Sequence, residues 1–292
     1  MLDRNELFDL SGKTALVTGA SSGLGVTFAR ALLANGASVV ICARREDRLA
    51  EVARDLDPTG ERVLALRCDV GDAEQVQAVA DAAVHRFGRI DILVNNAGIE
   101  AEGSPFAERI ADADFAETMR VNLLGVWHCT RILGTQMIKK GGGSIINISS
   151  IGGLGGSKGM MSPGYSATKA AVINLTQNVA ANWGDRGVRV NCIAPGYFPS
   201  EMSEFVRTNP PVTEHVWAQI PVGRFGDPEE LVGTLLLLAS DAGSYMTGQT
   251  IAVDGGFSAT VGARTPSPDL YDVWDSWLPG DKGRPLRPDD AP

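Results

Sequence analysis

The stretch Thr14-Ala15-Leu16-Val17-Thr18-Gly19-Ala20-Ser21-Ser22-Gly23-Leu24-Gly25 decides the fold. Residues 14–17 form a short apolar run that predicts a strand, and residues 26–34 predict a helix. The glycines between them allow a tight turn and let a pyrophosphate approach the helix N-terminus, where free N–H groups and the helix dipole favour anions. The pattern indicates a strand, a phosphate-binding turn and a helix, and a tight connection without a ligand is the alternative.

A second predicted strand, residues 38–42, follows the helix, which ends in a pattern typical of a helix C-terminus at Asn35-Gly36. In a dinucleotide-binding βαβ unit, the end of this strand carries an acid for the ribose of NAD or an arginine near the 2′-phosphate of NADP. Here Arg44 and Arg45 precede the first acid, Glu46. We therefore predict NADP, with NAD as the alternative, and favour Arg44 because a planar guanidinium suits phosphate. The other interpretation is that both arginines only cap the next helix.

Further short apolar runs predict five more strands, at residues 63–66, 92–94, 143–148, 188–193 and 250–253. Helical patterns lie between them, including residues 45–56, a segment from Asp72 to Phe87, and residues 112–139. Strands that alternate with helices are typical of a parallel sheet with helices packed on it. The chain is therefore predicted to be α/β.

The composition limits the class of protein. With 292 residues and 44% hydrophobic content, the chain is predicted to form one large domain. A net charge of -9 argues against a nucleic-acid partner, which needs a basic face. No apolar run suits a signal peptide or a membrane span, so we expect a cytoplasmic protein. The dispersed cysteines Cys42, Cys68, Cys129 and Cys192 are expected to be buried free thiols, and the spacing of His85, His128 and His215 predicts no metal site.

The segment Tyr165-Ser166-Ala167-Thr168-Lys169 places a phenol beside a positive charge. In a helix, a four-residue step brings both side chains onto one face. A free tyrosine has a pKa of roughly 10, and a neighbouring ammonium lowers it by favouring the phenolate. Tyr165 is therefore a candidate acid or base, although such a pair also occurs as an ordinary surface contact.

Other polar residues follow the predicted strands or interrupt a helix. Asp69 lies at the end of the third strand, where ligands gather in open α/β sheets, and capping of the following helix is the alternative. Asn95-Asn96-Ala97-Gly98 follows the fourth strand, and Ser149-Ser150 follows the fifth. Asn122 lies inside a largely apolar helix, so its amide needs solvent or a polar partner.

These motifs together resemble the short-chain dehydrogenase/reductase family over residues 11–258. The resemblance rests on Thr18-Gly19-x-x-x-Gly23-x-Gly25, Asn95-Asn96-Ala97-Gly98, Asn122, Ser150 and Tyr165-x-x-x-Lys169. The glycine spacing is similar to that of the compact oxidoreductase branch, not of the longer epimerases and dehydratases. The resemblance implies a doubly wound Rossmann-type fold, with a seven-stranded parallel sheet and helices on both faces.

The resemblance also implies four catalytic roles. Tyr165 would be the general acid for carbonyl reduction or the base for alcohol oxidation, and Lys169 would lower its pKa and bind the nicotinamide ribose. Ser150 would polarise the substrate oxygen; Ser149 stays possible because the interval to Tyr165 is about two residues longer than is usual in the family. Asn122 would support a water that relays protons from Lys169.

The residues implied to contact the cofactor follow the same pattern. They are Gly19, Ser21, Ser22, Gly23, Leu24, Gly25, Arg44, Arg45, Asp69, Val70, Asn96, Ala97, Gly98, Tyr165, Lys169, Pro195, Gly196 and Phe198. A family threonine is replaced here by Ser200 as the nearest hydroxyl. Residues 197–220 are interpreted as a lid over an apolar substrate, and packing of a helical hairpin explains their apolar residues equally well. Family members usually form homotetramers, so we expect a homotetramer.

The chain is divided into an NAD(P)-binding domain at residues 1–258 and an extension at residues 259–292 that departs from the family. The extension is rich in proline and charge, as disordered segments are. It also contains an apolar cluster of Leu270, Tyr271, Val273, Trp274, Trp277 and Leu278. We predict that this cluster docks on a neighbouring subunit or near the lid, and disorder is the alternative.

The leading functional hypothesis is an NADPH-dependent carbonyl reductase that reduces a ketone or keto-ester. In the reverse direction, the same enzyme would oxidise a secondary alcohol. An NAD-dependent secondary-alcohol dehydrogenase is the nearest alternative. A cofactor-sensing or scaffold protein without turnover is the alternative of another class, and loss of Tyr165, Lys169 or Ser150 would have favoured it; all three are present. The motifs define the reaction better than they define the substrate.

Overall fold

A computed structural model describes residues 7–156, 159–259 and 268–278. Its seven strands form one sheet in the order β3-β2-β1-β4-β5-β6-β7, and all neighbouring strands are parallel. The strands are β1 Thr14–Thr18, β2 Ser38–Ala43, β3 Val63–Arg67, β4 Ile92–Asn95, β5 Gly143–Ile148, β6 Val188–Pro195 and β7 Thr250–Val253. The predicted α/β fold and all seven predicted strands are confirmed.

Helices connect the strands and continue into the lid and the C-terminal extension. They are α1 Leu24–Ala34, α2 Glu46–Leu56, α3 Ala73–Phe87, α4 Asp112–Met119, α5 Gly125–Lys139, α6 Pro163–Trp183, α7 Glu204–Thr208, α8 Pro210–Trp217, α9 Val232–Ala239 and α10 Pro268–Trp277. Because strands joined by helical crossovers run parallel, their carboxyl ends share one edge of the sheet.

The sheet is buried on both faces. Within β1, Ala15 and Val17 contact one apolar cluster and Leu16 contacts the other, because successive side chains of a strand point to opposite faces. Helices α1 and α9 cover the first face through residues such as Phe28 and Leu235. Helices α3, α5 and α6 cover the second face through residues such as Ala80, Met137 and Val179. This arrangement confirms the doubly wound architecture.

The predicted helix at residues 112–139 is confirmed in its bounds, and it contains a π-helical turn that the sequence did not indicate. A π-helical turn at Arg120–Leu124 separates α4 from α5. Asn122 lies within this turn and is fully buried. Its side chain accepts a hydrogen bond from the backbone N–H of Ile99 at 2.8 Å and donates one to the Ile99 carbonyl at 2.8 Å. The extra residue of the π turn lets the amide reach the loop after β4.

The C-terminal helix α10 packs against the lid. Leu278 is buried with Phe205 of α7 and Val212 of α8, and Val273 joins the same cluster. The rings of Trp277 and Phe205 lie 4.3 Å apart between centroids. These contacts agree with docking near the lid. The side chains of Leu270, Tyr271 and Trp274, for which docking was also predicted, lie outside what the structure describes.

The cysteines Cys42, Cys68, Cys129 and Cys192 are all buried and free, as predicted. None of the helices in residues 7–156, 159–259 and 268–278 has the length and apolar content needed to cross a bilayer.

Candidate active site

A cleft of about 610 Å³ opens at the carboxyl edge of the sheet. Strands β1, β2 and β3 extend the sheet to one side, and the chain then returns so that β4 pairs with the other side of β1. The cleft lies at this reversal of strand order. Ligands bind at such reversals of strand order because the loops diverge there. The cleft is lined by all the predicted cofactor contacts except Gly25, and also by Ser149, Ser150 and Ser200.

The glycine turn approaches the loop after β4 closely. Gly19 has a φ of +68°, and a Cβ atom at this position would lie 2.7 Å from the Cα atom of Ala97. Only glycine combines this backbone conformation with such a close contact. Gly25 does not line the cleft, and a Cβ atom there would lie 2.6 Å from the Gly19 carbonyl oxygen, while its contact with the cofactor stays a prediction. Gly25 therefore lets the first turn of α1 pack against the glycine turn.

The N-terminus of α1 is open to an anion. Its N-cap residue is Gly23, which offers no side-chain cap, and no acid lies in the first turn. The free N–H groups and the helix dipole therefore face the cleft without a competing carboxylate. A turn of this shape fits the pyrophosphate of a dinucleotide.

Thr18 and Asn96 join the glycine turn to the loop after β4. The Thr18 hydroxyl oxygen accepts hydrogen bonds from the backbone N–H groups of Asn96 and Ala97, each at 3.0 Å. The Asn96 amide donates to the Thr18 carbonyl at 2.9 Å. Both loops are thereby held in a fixed relative position at the floor of the cleft.

The two arginines after β2 have different surroundings. The Arg45 guanidinium donates to the Ser22 hydroxyl at 2.7 Å and to the Ser21 hydroxyl at 3.2 Å. It also pairs with Glu201 of the lid at 2.8 Å. Arg44 is more exposed and lies 4.0 Å from Glu117. Both line the cleft, and no side-chain cap is found at Arg45, the N-cap position of α2. Arg45, rather than the favoured Arg44, is the arginine that contacts the glycine turn.

Asp69 lines the cleft beside the turn after β3. Its carboxylate accepts a hydrogen bond from Arg120 at 2.9 Å and another from the backbone N–H of Gly71 at 2.9 Å. Asp72 caps α3, accepting from the backbone N–H of Glu74 at 2.9 Å. The alternative in which Asp69 caps that helix is therefore wrong.

Tyr165 and Lys169 lie on one face of α6, as the four-residue spacing predicts. The Lys169 ammonium is 5.5 Å from the centroid of the Tyr165 ring and donates a hydrogen bond to the Ile148 carbonyl at 2.8 Å. Burial raises the pKa of Tyr165 to about 12, and the charge of Glu100 adds to this rise, while a hydrogen bond with Ser150 opposes it. The predicted lowering of the Tyr165 pKa by Lys169 is absent here because desolvation disfavours the phenolate.

Lys169 and Asn122 lie close together beneath the cleft. A Cβ atom on Gly98 would lie 3.4 Å from Nζ of Lys169 and 3.5 Å from Oδ1 of Asn122. Burial lowers the pKa of Lys169 to about 8. The lysine is therefore able to lose a proton near neutral pH more readily than an exposed lysine. Asn122 does not line the cleft, and its amide is bonded to the loop of Ile99.

The two candidate serines after β5 face different partners. Ser149 donates its hydroxyl hydrogen to the Lys169 backbone carbonyl at 2.8 Å. The Ser150 hydroxyl hydrogen-bonds with Tyr165 and accepts from the backbone N–H of Gly152 at 3.1 Å. Ser150 therefore shares the polar pocket of the phenol, whereas Ser149 is engaged in holding β5 to α6.

The substrate half of the cleft is mostly apolar. It is lined by Pro195, Gly196, Met160, Met161, Tyr197, Phe198, Met202 and Val206, together with the acid Glu100. Met202 and Val206 belong to the predicted lid, while Phe205 and Val212 pack against α10. Both interpretations of the lid sequence thus apply, to different faces of the segment.

Sequence reasoning missed Glu100 and the pairing of Glu201 with Arg45. Glu100 comes two residues after the Asn95–Gly98 motif at a strand end, which was a usable signal. The pair of Arg45 and Glu201 joins residues 156 positions apart and had no sequence signal. Within the described part of the chain, no group of three His, Cys, Asp or Glu side chains is arranged to hold a metal ion.

Known proteins are similar to this chain over most of its length. A family model described as Enoyl-(Acyl carrier protein) reductase matches residues 19–258. The chain is 37% identical to 3-oxoacyl-(acyl-carrier-protein) reductase FabG of Thermotoga maritima, covering 85% of this chain and 98% of that relative. It is 38% identical to galactitol 2-dehydrogenase (L-tagatose-forming) of Cereibacter sphaeroides, covering 88% and 99%. The crystal structure of gluconate 5-dehydrogenase from Burkholderia cenocepacia, in complex with NADP and tartrate, superposes with a TM-score of 0.84 at 37% identity, covering 89% of this chain and 100% of that one.

Proposed function

The chain belongs to the short-chain dehydrogenase/reductase family, and we propose that it is an NADPH-dependent carbonyl reductase that also oxidises secondary alcohols in the reverse direction. The broader activity, NAD(P)-dependent oxidoreduction between C=O and CH–OH groups, follows from the family and confirms the function predicted from the sequence. The observation that carries the proposal is that Tyr165 and Ser150 line the same cleft and that the Ser150 hydroxyl lies beside the phenol.

The preference for NADP rests on the end of the cleft after β2, where the adenosine ribose of the cofactor would bind. Residues Ala43-Arg44-Arg45 place two guanidinium groups, and no acid, directly after β2. Arg45 is aimed at Ser21 and Ser22 of the glycine turn, where it would meet a 2′-phosphate. The solved gluconate 5-dehydrogenase with NADP supports the same choice. NAD remains the alternative cofactor.

We assign the proton transfer to Tyr165. When bound, the nicotinamide cofactor supplies the hydride for the carbonyl carbon. Tyr165 is protonated at neutral pH because burial raises its pKa, so it can donate its proton to the carbonyl oxygen. Ser150 orients the same oxygen through a second hydrogen bond.

Lys169 and Asn122 support the tyrosine in this proposal. Lys169 keeps a positive charge beside the phenolate that forms when Tyr165 gives up its proton, which stabilises that anion. Its lowered pKa allows it to pass a proton on in turn. Asn122 fixes the loop of Ile99 through two hydrogen bonds and keeps a polar amide next to Gly98 and Lys169.

A panel of ketones and secondary alcohols, assayed with NADPH and NADH by nicotinamide absorbance, tests the proposal. We expect turnover of at least one ketone, with a higher kcat/KM for NADPH than for NADH. The variant Arg45→Gln is expected to raise the KM for NADPH and to leave the KM for NADH nearly unchanged, because only NADPH carries the 2′-phosphate. A strong preference for NADH would contradict the cofactor assignment, and no turnover of any ketone or alcohol would contradict the enzymatic one.

Assembly and location are also part of the proposal. We infer a homotetramer by analogy with the family, and light scattering coupled to gel filtration gives its mass directly. A cytoplasmic location suits the four free cysteines, which a reducing compartment keeps unpaired. Residues 1–258 would form the catalytic domain and residues 259–292 an extension, within which Val273, Trp277 and Leu278 contact the lid.

A further inference from the structure

We propose that the carboxylate of Glu100 selects the substrate by charge: the enzyme acts on uncharged ketones or alcohols that carry hydroxyl groups, and it discriminates against substrates that carry a carboxylate. This inference rests on the proposed reductase function and adds the class of substrate to it. Glu100 acts here as a specificity-determining residue in the same cleft, beside the proposed acid Tyr165.

Glu100 is held at the start of the helix that carries Tyr165. Its Oε1 atom accepts a hydrogen bond from the backbone N–H of Ser162 at 3.3 Å. Ser162 is the N-cap residue of α6, and Tyr165 lies three positions further along. The carboxylate is therefore anchored within one helical turn of the phenol, while its side chain still lines the cleft.

A second carboxylate, that of Glu102, lies near Glu100. Glu102 is completely buried and accepts hydrogen bonds from the Thr118 hydroxyl at 2.9 Å and from the Ser162 hydroxyl at 3.1 Å. Glu100 and Glu102 thus share Ser162. Burial raises the pKa of Glu100, and the nearby Glu102 adds to this rise, while the hydrogen bonds from Ser162 oppose it.

The negative charge of Glu100 acts on both tyrosines of the substrate half. It contributes to raising the pKa of Tyr165 and that of Tyr197, in each case after burial as the larger cause. Glu100 is itself exposed to solvent, and the nearby protein raises its own pKa by desolvation. A substrate that contacts Tyr165 in the same cleft would also lie within reach of this charge.

The remaining walls give a substrate carboxylate little compensation. Among the described residues that line this half of the cleft, the uncharged side chains include Met160, Met161, Met202 and Val206. Lys169 is already bonded to the Ile148 carbonyl beneath Tyr165. Arg44 and Arg45 lie at the opposite end, after β2. A substrate hydroxyl, in contrast, can donate to Glu100, and a hydrogen bond to a charged acceptor is one of the stronger kinds.

Matched pairs of ketones test the inference. Hydroxyacetone and pyruvate are similar in size and differ in carrying a hydroxyl or a carboxylate; ethyl acetoacetate and acetoacetate form a second pair. For the wild-type enzyme with NADPH, we expect kcat/KM to be at least about tenfold higher for the neutral member of each pair. If one member of a pair is not reduced, we compare inhibition constants instead of kcat/KM. Each member is then tested as an inhibitor of the reduction of the best ketone of the panel.

The variant Glu100→Gln removes the charge and keeps an oxygen that can accept from Ser162. We expect it to reduce the neutral-to-anionic ratio at least about threefold, mainly by improving the anionic member. Glu51→Gln, an exposed position on α2, is the matched control and should leave the ratio unchanged. Melting temperature and NADPH fluorescence confirm that each variant folds and binds cofactor.

The inference is overturned if the wild-type enzyme uses pyruvate and acetoacetate as well as their neutral partners, or if Glu100→Gln leaves the ratio unchanged. A wild-type ratio near one overturns the inference even if Glu100→Gln does not fold, and Glu100→Ala then tests whether the charge of Glu100 causes a high ratio. Failure of the proposed function has a different signature, because the enzyme would then reduce no ketone of any charge.

Discussion

The Ser149 hydroxyl donates a hydrogen bond to the backbone carbonyl of Lys169 at 2.8 Å, so this serine is engaged in joining β5 to α6. Ser150 instead hydrogen-bonds with Tyr165. We therefore predict that Ser150→Ala lowers kcat by about 10²-fold or more, because an oxygen-stabilising donor is lost. Ser149→Ala should lower the melting temperature with a much smaller effect on kcat.

Steady-state kinetics of the two alanine variants with one ketone and NADPH measure this difference. The variants differ by one position and remove the same group, so each is the control for the other. A larger loss of kcat in Ser149→Ala than in Ser150→Ala would reverse the assignment of the serine.

Glu201 of the lid pairs with Arg45, the arginine that we propose binds the 2′-phosphate of NADP. The two side chains pair at 2.8 Å, and this contact lowers the pKa of Glu201, which is therefore charged at neutral pH. Both groups are about half exposed, and such pairs contribute about 1 kcal/mol or less. We predict that Glu201→Gln lowers the dissociation constant of 2′,5′-ADP by up to about fivefold, measured by calorimetry, because Arg45 is freed for the phosphate.

Glu204→Gln, on the exposed side of α7, is the control for this change in lid charge. An equal gain for 5′-AMP, which lacks the 2′-phosphate, would contradict competition at Arg45. Weaker binding of 2′,5′-ADP to Glu201→Gln would mean that the glutamate positions the arginine instead.

The C-terminal helix is predicted to hold the lid closed over the substrate. Leu278 is buried against the lid, and Trp277 stacks near Phe205 at 4.3 Å. Leu278→Ala removes buried contacts worth about 2 kcal/mol or more. We expect this variant, and a chain that ends at Ala259, to show a KM for the ketone raised severalfold, with little change in the KM for NADPH.

Ser276→Ala, which changes an exposed residue of α10, is the matched control for the helix. If Leu278→Ala and the chain that ends at Ala259 both have the kinetics of the wild-type enzyme, α10 has no influence on the lid.

The pH dependence of the reaction follows from the raised pKa of Tyr165, about 12 in the structure. Ketone reduction uses the protonated phenol, so the titration of Tyr165 does not limit its rate between about pH 6 and pH 9. Lys169, whose pKa burial lowers to about 8, loses its stabilising charge above that pH, so the rate of reduction is predicted to decline there. Alcohol oxidation uses the phenolate and should rise with pH over this range. Glu100→Gln removes a negative charge near the phenol, so the oxidation profile should move to lower pH.

The raised pKa of Tyr165 also makes the stability of the folded protein depend on pH. A pKa above the unfolded value of about 10 stabilises the folded state below that pH, and the contribution is lost as the pH rises toward the folded value. The stability of the wild type, measured by denaturant unfolding, should therefore fall relative to that of Tyr165→Phe as the pH rises from about 10 toward about 12. No change in this difference between about pH 9 and pH 11 would contradict a pKa raised by burial.

Most of the fold was predictable from local patterns. The strands are short apolar runs bounded by turn residues, and both faces of the sheet are covered, so the seven strands were visible without tertiary information. The glycine turn was visible too, because Gly19 needs a positive φ and a close approach to Ala97. The position of Asn122 in a π turn was not visible, because it depends on hydrogen bonds to Ile99 in another segment.

The site was predictable in its residue types and less so in its electrostatics. Tyr165 and Lys169 share a helical face as the spacing requires, but the pKa of the phenol is set by burial and by Glu100, which comes from another loop. The contact of Arg45 with Glu201 likewise joins distant segments. Long-range contacts of this kind carry no periodic signal in the sequence.

The activity of Tyr165→Phe with NADPH and the best ketone of the panel tests the central claim most directly. We predict that kcat falls by about 10²-fold to 10⁴-fold while NADPH binding is retained, because only the hydroxyl that donates the proton is removed. Tyr245→Phe, at a fully exposed position, is the matched control and should keep wild-type activity. Full activity of Tyr165→Phe would contradict the assignment of Tyr165 as the acid of this reductase.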